Sequence, residues 1–406
     1  MSRYKSVIRT ERIWLKSCPQ LRFLCHLSKN LYNEANYLVR QEFFNHNKWI
    51  RYNSLYHLLK TSDNYHLLPA QTAQQVLKIL DRNWKSFFGA INEWKKDKSK
   101  FNGRPNPPRY KPKNGEFMLV FTNQQVKLKD NFLLFPKKVG LKIKTRLPDR
   151  TDIREVRIIP KGVGYVVEMI YQKEISPKPL NKDKIVAIDI GVRNLITTVN
   201  NNGLKPFVIK GGIAKSINQY YNKERARIQS TYDRQGIKTG KTMQKLTIKR
   251  NRKINEFFHK TSQKIIEYCV RNDIGTIVIG YNPEWKQNCK IGKKNTQNFV
   301  SIPYNKLIQQ LEYKAAEQGI MVIKQEESFS SKCSFLDNES IEHHRKYLGR
   351  RITRGLFKSL KGTIINADVN GAYNIMKKAF LNAVNADRIE DVGLHPTRWR
   401  LAAVTS

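Results

Sequence analysis

Lys184-Ile-Val-Ala-Ile-Asp-Ile-Gly-Val-Arg-Asn-Leu195 decides how the other parts of this 406-residue chain are read. Four apolar residues run straight into Asp189, and Gly191 lets the backbone turn at once. Leu195-Ile-Thr-Thr-Val199 then reads as a returning strand, β-branched and bounded by Asn200-Asn-Asn-Gly203. A carboxylate at the end of a buried strand is costly unless something cationic meets it. An Asp capping a turn is the ordinary reading of such a position. Two acidic sites downstream, Glu326-Glu327 and Asp368, shift the balance, because one sheet would bring all three together. Converging carboxylates suit Mg²⁺, which takes hard oxygen ligands and leaves positions open for phosphate and water.

The segments around this hairpin supply the rest of such a sheet. Leu204-Lys-Pro-Phe-Val-Ile209 reads as a third strand, and long polar helices follow from about Ser216 to Asn272. Thr276-Ile-Val-Ile-Gly280 is a further buried strand, and residues 303–319 form a helix ending at a glycine. Ile320-Met-Val-Ile323 re-enters the sheet and runs into Glu326-Glu327; a last helix opens near Asp368. Hairpin, third strand, helix, strand, helix, strand and helix is the element order of an RNase H-like fold. Period-two alternation allows only one of Glu326 and Glu327 to point inward, and Glu327 is the slightly better candidate.

Upstream, Tyr4 to Thr10 reads as a short strand and residues 21–44 as a helix. A second helix after Pro69 carries Val76, Leu80, Trp84, Phe87 and Phe88 on one face, an aromatic stripe expected to be bundle core. Residues 116–175 change to period two, in short runs split by Lys129-Asp-Asn131 and Lys161-Gly-Val-Gly164, which predicts a small β-barrel. Ser176-Pro-Lys-Pro179 is the linker.

Charge names the partner. Lys and Arg number 75 against 33 Asp and Glu, a formal net charge of +42. Such an excess calls for a polyanion, and nucleic acid is the default. Lys98, Lys100, Arg104, Arg109 and Lys111 are interleaved with prolines that hold the backbone extended along a phosphate path. Lys245, Lys249, Arg250, Arg252 and Lys253 belong to a run of nine cations against one acid between Ile237 and Lys264. Cations three and four apart on a helix repel one another, so a bound phosphate backbone explains them better than a solvated face does. No apolar 20-mer or amphipathic basic helix points to a membrane, and no signal peptide opens the chain. The five cysteines include no CxxC pair, so neither a disulfide framework nor a zinc ribbon is expected. A cytoplasmic, nucleoid-associated bacterial setting and a monomer are the expectations.

Asp189 in Ile-Asp-Ile-Gly and the stretch Asn366-Ala-Asp-Val-Asn-Gly-Ala-Tyr-Asn-Ile375 resemble the first and third RuvC motifs of the TnpB family, transposon-encoded RNA-guided DNA nucleases related to the type V CRISPR effectors. Leu80-Asp-Arg-Asn-Trp-Lys-Ser-Phe-Phe88, Pro107-Pro-Arg-Tyr-Lys111, Gly280-Tyr-Asn-Pro-Glu-Trp-Lys-Gln287 and Glu326-Glu-Ser-Phe-Ser-Ser-Lys-Cys-Ser334 extend the likeness over nearly the whole chain, in the family's order. The resemblance implies a multidomain α/β and α+β protein. A wedge β-barrel would take residues 1–20 and 106–178, with a helical recognition module at 21–105. A RuvC nuclease domain would take 179–328 and 363–385, with a target-binding insertion at 329–362 and a tail at 386–406.

It also implies RNA-guided cleavage of double-stranded DNA beside a short flanking motif, by two Mg²⁺ ions on Asp189, Asp368 and one of Glu326 or Glu327. A CRISPR-associated effector shares every one of these motifs. The sequence departs from the pattern twice. Gly280 stands where the second motif usually ends its strand in Glu, which leaves Glu326 or Glu327 as a relocated ligand, Glu284 as a weaker substitute, and a nuclease-dead guided repressor as the alternative. Cys333 is the lone cysteine where relatives hold a CxxC…CxxC ribbon, so residues 334–361 are expected to fold by packing Phe335, Leu336, Tyr347, Leu348, Leu356 and Phe357. Arg350, Arg351 and Arg354 in that segment are further candidates for contact with nucleic acid.

Overall fold

The computed structural model describes residues 5–177, 179–282, 300–386, 389 and 393–401. They form two compact units, Met1–Glu174 and Ile175–Ser406.

In the first unit β1 (Lys5–Lys16) leads into helices α1 (Pro19–His46), α2 (Tyr52–Leu59), α3 (Asp63–His66) and α4 (Ala70–Lys96). Pro19 starts α1, and Asn47 ends it in the left-handed conformation. The aromatic stripe of α4 is core as expected. Trp84 is fully buried against Phe43, Phe87 and Phe88 at ring distances of 5.3, 5.7 and 5.8 Å. Its indole N–H is satisfied by Asn36 Oδ1 at 3.0 Å.

The alternating segments all become strands: β2 (Leu119–Thr122), β3 (Lys127–Lys129), β4 (Phe132–Leu134), β5 (Lys142–Lys144), β6 (Asp152–Pro160) and β7 (Gly164–Ile175). Their hydrogen bonding differs from the barrel expected. Among the described residues they make two open sheets, ordered β1-β7-β6-β2 and β3-β4-β5. Period two reports that one face is buried and not whether a sheet closes. Here both sheets bury that face in one core shared with α1 and α4.

The second unit carries β8 (Asn181–Ile190), β9 (Asn194–Asn200), β10 (Phe207–Lys210), α5 (Gly212–Arg234), α6 (Lys241–Arg271), β11 (Ile274–Tyr281), α7 (Tyr304–Glu317) and β12 (Met321–Glu326). These are followed by β13 (Arg350–Thr353), β14 (Leu356–Lys358), β15 (Ile364–Asn366), α8 (Ala367–Ala379) and β16 (Thr397–Trp399). The large sheet runs β12-β11-β8-β9-β10-β16. β12, β11 and β8 are parallel, and β8-β9-β10 is antiparallel.

Both faces of this sheet are covered, so its central strands read as unbroken apolar runs. Val186, Ile188, Ile277 and Ile279 pack with residues of α6 and α7. Ala187 and Val278 pack with Val369, Ala372 and Ile375 of α8. Asp189 is in phase with Ala187 and therefore projects toward α8.

Residues 386–406 were expected to be a tail. Instead, Thr397–Trp399 pair in parallel with β10 and add a sixth strand, and the Trp399 ring stacks on Phe207 at 3.6 Å. The exposed edge of β10 supplies the reason, since its unpaired backbone groups need a partner.

Candidate active site

Three elements deliver the acidic groups. Gly191 must be glycine for β8 to turn into β9, because a Cβ there would lie 2.8 Å from the Asn194 carbonyl. Asn366 caps α8, its side-chain oxygen accepting from the Asp368 and Val369 amides at 3.0 and 3.2 Å, a contribution of roughly 1 kcal/mol. This cap fixes Asp368 in the first turn, where the helix dipole favours an acid. Gly371, one turn on, lies beside the same carboxylate: a Cβ there would make ordinary contact with Asp189 Oδ2 at 3.4 Å.

Register separates the two glutamates. β12 pairs with β11 so that Gln325 stands opposite Gly280 and Glu326 opposite Tyr281. Glu327, two residues beyond Gln325, therefore returns to the face of Gly280, and Glu326 takes the other. A Cβ at residue 280 would lie 2.9 Å from Glu327 Oε2 and 2.5 Å from Ile375 Cδ1. The missing side chain at 280 is the space that the Glu327 carboxylate enters. Glu326 turns away to Lys378 Nζ at 2.6 Å. Partial burial pushes its carboxyl upward, but hydrogen bonds from Lys378 and Ser328 outweigh that and hold it below the usual range. Glu284 lies outside the described residues.

Asp189 carries the largest electrostatic load. Burial, then the Asp368 charge, then the Glu327 charge push its carboxyl well above the ordinary range, and Arg351 relieves this only in part. Arg351 reaches in from β13, its Nη2 lying 3.9 Å from Asp368 Oδ1. Among the described residues no three His, Cys, Asp or Glu groups lie within ligating range of one point. The three carboxylates thus share a field without forming a closed cage. Their chemistry fits a hard divalent cation: oxygen donors only, room for Glu327 beside Gly280, and the Arg351 charge only partly offsetting the acids around Asp189.

The cationic candidates divide. Lys98 lies over the Trp94 ring at 5.1 Å and Arg104 at 6.0 Å, Lys100 pairs with Asp97 at 3.6 Å, and Arg109 is exposed. Lys111 sits over Tyr32 at 4.8 Å. The proline-rich segment that carries them is stitched along α1. Lys29, Asn33 and Asn36 donate to the carbonyls of Lys113, Lys111 and Pro108 at 2.7, 2.9 and 3.0 Å. Lys245, Lys249 and Arg252 are exposed on α6, and Lys253 is half-buried. Arg250 is drawn inward: its guanidinium bonds Asn218, Asn251 and the Ser301 carbonyl, and burial lowers its pKa. Its spacing matched the outer face, but the buried Asn218 amide claims it. Arg350, Arg351 and Arg354 are all exposed, and Arg351 is the one whose guanidinium reaches the acidic cluster.

The segment carrying Arg351 is cross-linked by carboxylates that sequence reading passed over. Glu339, 5% exposed, accepts from the Ser334 amide at 2.6 Å and the Leu348 amide at 2.8 Å. Asp337 accepts from Ser334 Oγ at 2.5 Å and the Leu360 amide at 2.7 Å. Phe335 and Phe357 are buried as expected, but Leu348 is 45% exposed, because its amide and not its side chain ties it down. Glu339→Gln would turn one of its two acceptors into a donor facing a backbone N–H. The expected cost is about 1–3 kcal/mol, read as a lower melting temperature.

Asn370 and Asn374, fully buried on α8, hold the loop after Glu327. Asn370 binds the Phe335 amide and the Cys333 carbonyl at 3.0 and 2.9 Å. Asn374 donates to the Ser330 and Cys333 carbonyls, both at 2.8 Å. The signal for this clamp was present in the sequence: three asparagines, 366, 370 and 374, one helical turn apart.

Comparison with known proteins gives this geometry its relatives. Residues 165–286 match a family described as a probable transposase, OrfB_IS605, and residues 304–375 match the TNB domain of Cas12f1-like proteins. The TnpB-like protein ORF457 of Acidianus two-tailed virus is 27% identical, over 90% of this chain and 84% of its own. The solved structure of the mini-RNA-guided endonuclease CRISPR-Cas_phi3 is similar in fold, with a TM-score of 0.50 at 10% identity over 94% of this chain and 93% of that one. The Cas12f1–sgRNA–target DNA complex aligns at a TM-score of 0.48 and 13% identity, over 91% of this chain and 98% of that one. Among the described residues no helix is long and apolar enough to cross a membrane. Two family regions follow one another in the second half, and a viral TnpB-like relative aligns along nine-tenths of the whole, so this chain is similar to TnpB-like proteins over most of its length.

Proposed function

We propose that the protein is an RNA-guided DNA endonuclease whose second unit is a RuvC-type nuclease domain cutting target DNA beside a short flanking motif. One observation carries this reading: Glu327 enters from the neighbouring strand the space that Gly280 leaves, facing the same cluster as Asp189 and Asp368. Asp189, Asp368 and Glu327 would hold two Mg²⁺ ions, which when bound supply an activated water and stabilise the leaving 3′-oxygen. The chain's own residues do the rest. Asp189 and Asp368 set the floor of the site, Gly280 makes room for the Glu327 carboxylate, and Arg351 stands ready to exchange its carboxylate for a phosphate oxygen.

Sequence choice rests with a guide RNA pairing to the target, and the first unit, as a wedge and recognition module, reads the flanking motif. The exposed cations Lys245, Lys249 and Arg252, and those of the stitched segment after α4, give sequence-blind affinity for RNA and DNA backbones.

The glycine at 280 favours a second reading, a guided DNA binder that does not cut. Purification with co-expressed RNA, sequencing of that RNA, and challenge with a guide-matched plasmid flanked by randomised sequence separates the two. Mg²⁺-dependent cleavage next to an enriched flank is the expected result. Guide-dependent binding with intact DNA establishes the second reading instead.

A further inference from the structure

A chain of two hydrogen bonds crosses three elements to reach Asp368. Lys210 Nζ donates to Asn194 Oδ1 at 2.7 Å, and Asn194 Nδ2 donates to Asp368 Oδ2 at 2.6 Å. Asn194 is 8% exposed, and Lys210 is half-buried at the end of β10.

Local backbone geometry builds this arrangement. β9 and β10 pair regularly up to Ile209, where the register slips and brings Lys210 opposite Asn194. Such a bulge re-aims a side chain. The chain then turns through Gly211, whose amide bonds the Arg193 carbonyl at 2.9 Å. A Cβ on Gly211 would lie 2.2 Å from the Val192 carbonyl oxygen, so no other residue fits that turn.

An asparagine amide can face either way, but this one cannot. A lysine ammonium only donates and an ionised carboxylate only accepts, so Lys210 forces the carbonyl oxygen toward itself and the NH₂ toward Asp368. The donated bond occupies Oδ2. Oδ1 is left free of that bond, with Arg351 Nη2 3.9 Å away. We propose that Lys210 and Asn194 act as a pair of positioning residues that choose which oxygen of Asp368 is offered to a divalent cation. Neither touches the reacting atoms. The inference rests on the metal-dependent nuclease reading and adds to it two residues outside the acidic set. Groups that orient a ligating side chain are typically worth about 10–100-fold in metal affinity or activity.

The test is calorimetric titration of Mn²⁺ into the protein–RNA complex, for the wild type, Asp189→Asn, Asn194→Ala and Lys210→Met. Thermal melts and target-DNA affinity are measured alongside. Lys210→Met keeps Asn194 and the aliphatic stem but frees the amide to flip, and it decides alone should Asn194→Ala not fold. The expected result is a site present in the wild type and lost in Asp189→Asn. In both positioning variants that site weakens about 10–100-fold, with DNA affinity unchanged and the maximal cleavage rate largely recovered at saturating metal. Mn²⁺ affinity within twofold of the wild type in Lys210→Met overturns the positioning role alone. Failure of the wild type to show any site that Asp189→Asn removes overturns the nuclease reading beneath it.

Discussion

Asp189→Asn is expected to abolish cleavage and, at the same time, to raise the melting temperature of the metal-free protein. The two effects share a cause. Asp189 has its carboxyl pushed up by burial and by the charges of Asp368 and Glu327. A carboxyl whose folded pKa exceeds its unfolded value destabilises the fold when it ionises. The unfolded chain gives up the proton first, so stability is greatest below the unfolded pKa, near 3.9, and falls as pH rises toward the elevated folded value. At neutral pH, above the unfolded value, the wild type carries this penalty, and a neutral asparagine does not. In a unit of this size each kcal/mol relieved raises the melting temperature by about 2–4 °C. Divalent cations should reverse the ranking, stabilising the wild type by mass action and leaving Asp189→Asn unchanged. Thermal melts across pH with and without Mg²⁺ measure both effects. A variant no more stable than the wild type without metal would show that the three carboxylates do not strain the fold.

Glu327→Gln is expected to lower the cleavage rate by at least about 10²–10³-fold, the scale of losing one preorganised electrostatic partner, and Glu326→Gln by no more than a few-fold. The contrast follows from register, since Glu327 shares the face of Gly280 and Glu326 is paired with Lys378. Losing one exposed ion pair changes stability by about 0–1 kcal/mol, so Glu326→Gln should also melt near the wild-type temperature. Gly280→Ala belongs with Glu327→Gln: its Cβ meets Ile375 Cδ1 and Glu327 Oε2, and the carboxylate must move. Single-turnover cleavage by the three variants, with guide and target binding measured in parallel, tests this. Equal losses at 326 and 327 would contradict it.

Much of the site was legible because strand logic is local. The apolar run before Asp189, the alternation that let only one glutamate point inward, and the helix opening near Asp368 each follow from a few neighbouring residues. The element order of the large sheet was anticipated up to β12. Its sixth strand was not, because three residues at 397–399 carry no periodicity and pair only where the β10 edge awaits them. The barrel expected from 116–175 became two open sheets, since alternation cannot count closure.

What escaped the sequence depends on contacts between distant residues. Asn194 and Lys210 lie sixteen residues apart with nothing in the sequence to join them, and a bulge sets them in line with Asp368. Glu339 carries no local signal that sets it apart, although it is a buried clasp between two backbone amides. Arg250 sat among cations of identical spacing, and only the Asn218 amide distinguishes it.

The most direct measurement is a structure of the complex with guide RNA, matched DNA and a non-hydrolysing divalent ion such as Ca²⁺. The account predicts ions at the target phosphate coordinated by Asp189, Asp368 and Glu327, with Glu326 still on Lys378. Ions bound without Glu327, or a guide-paired target seated with no ion between the two aspartates, would contradict it.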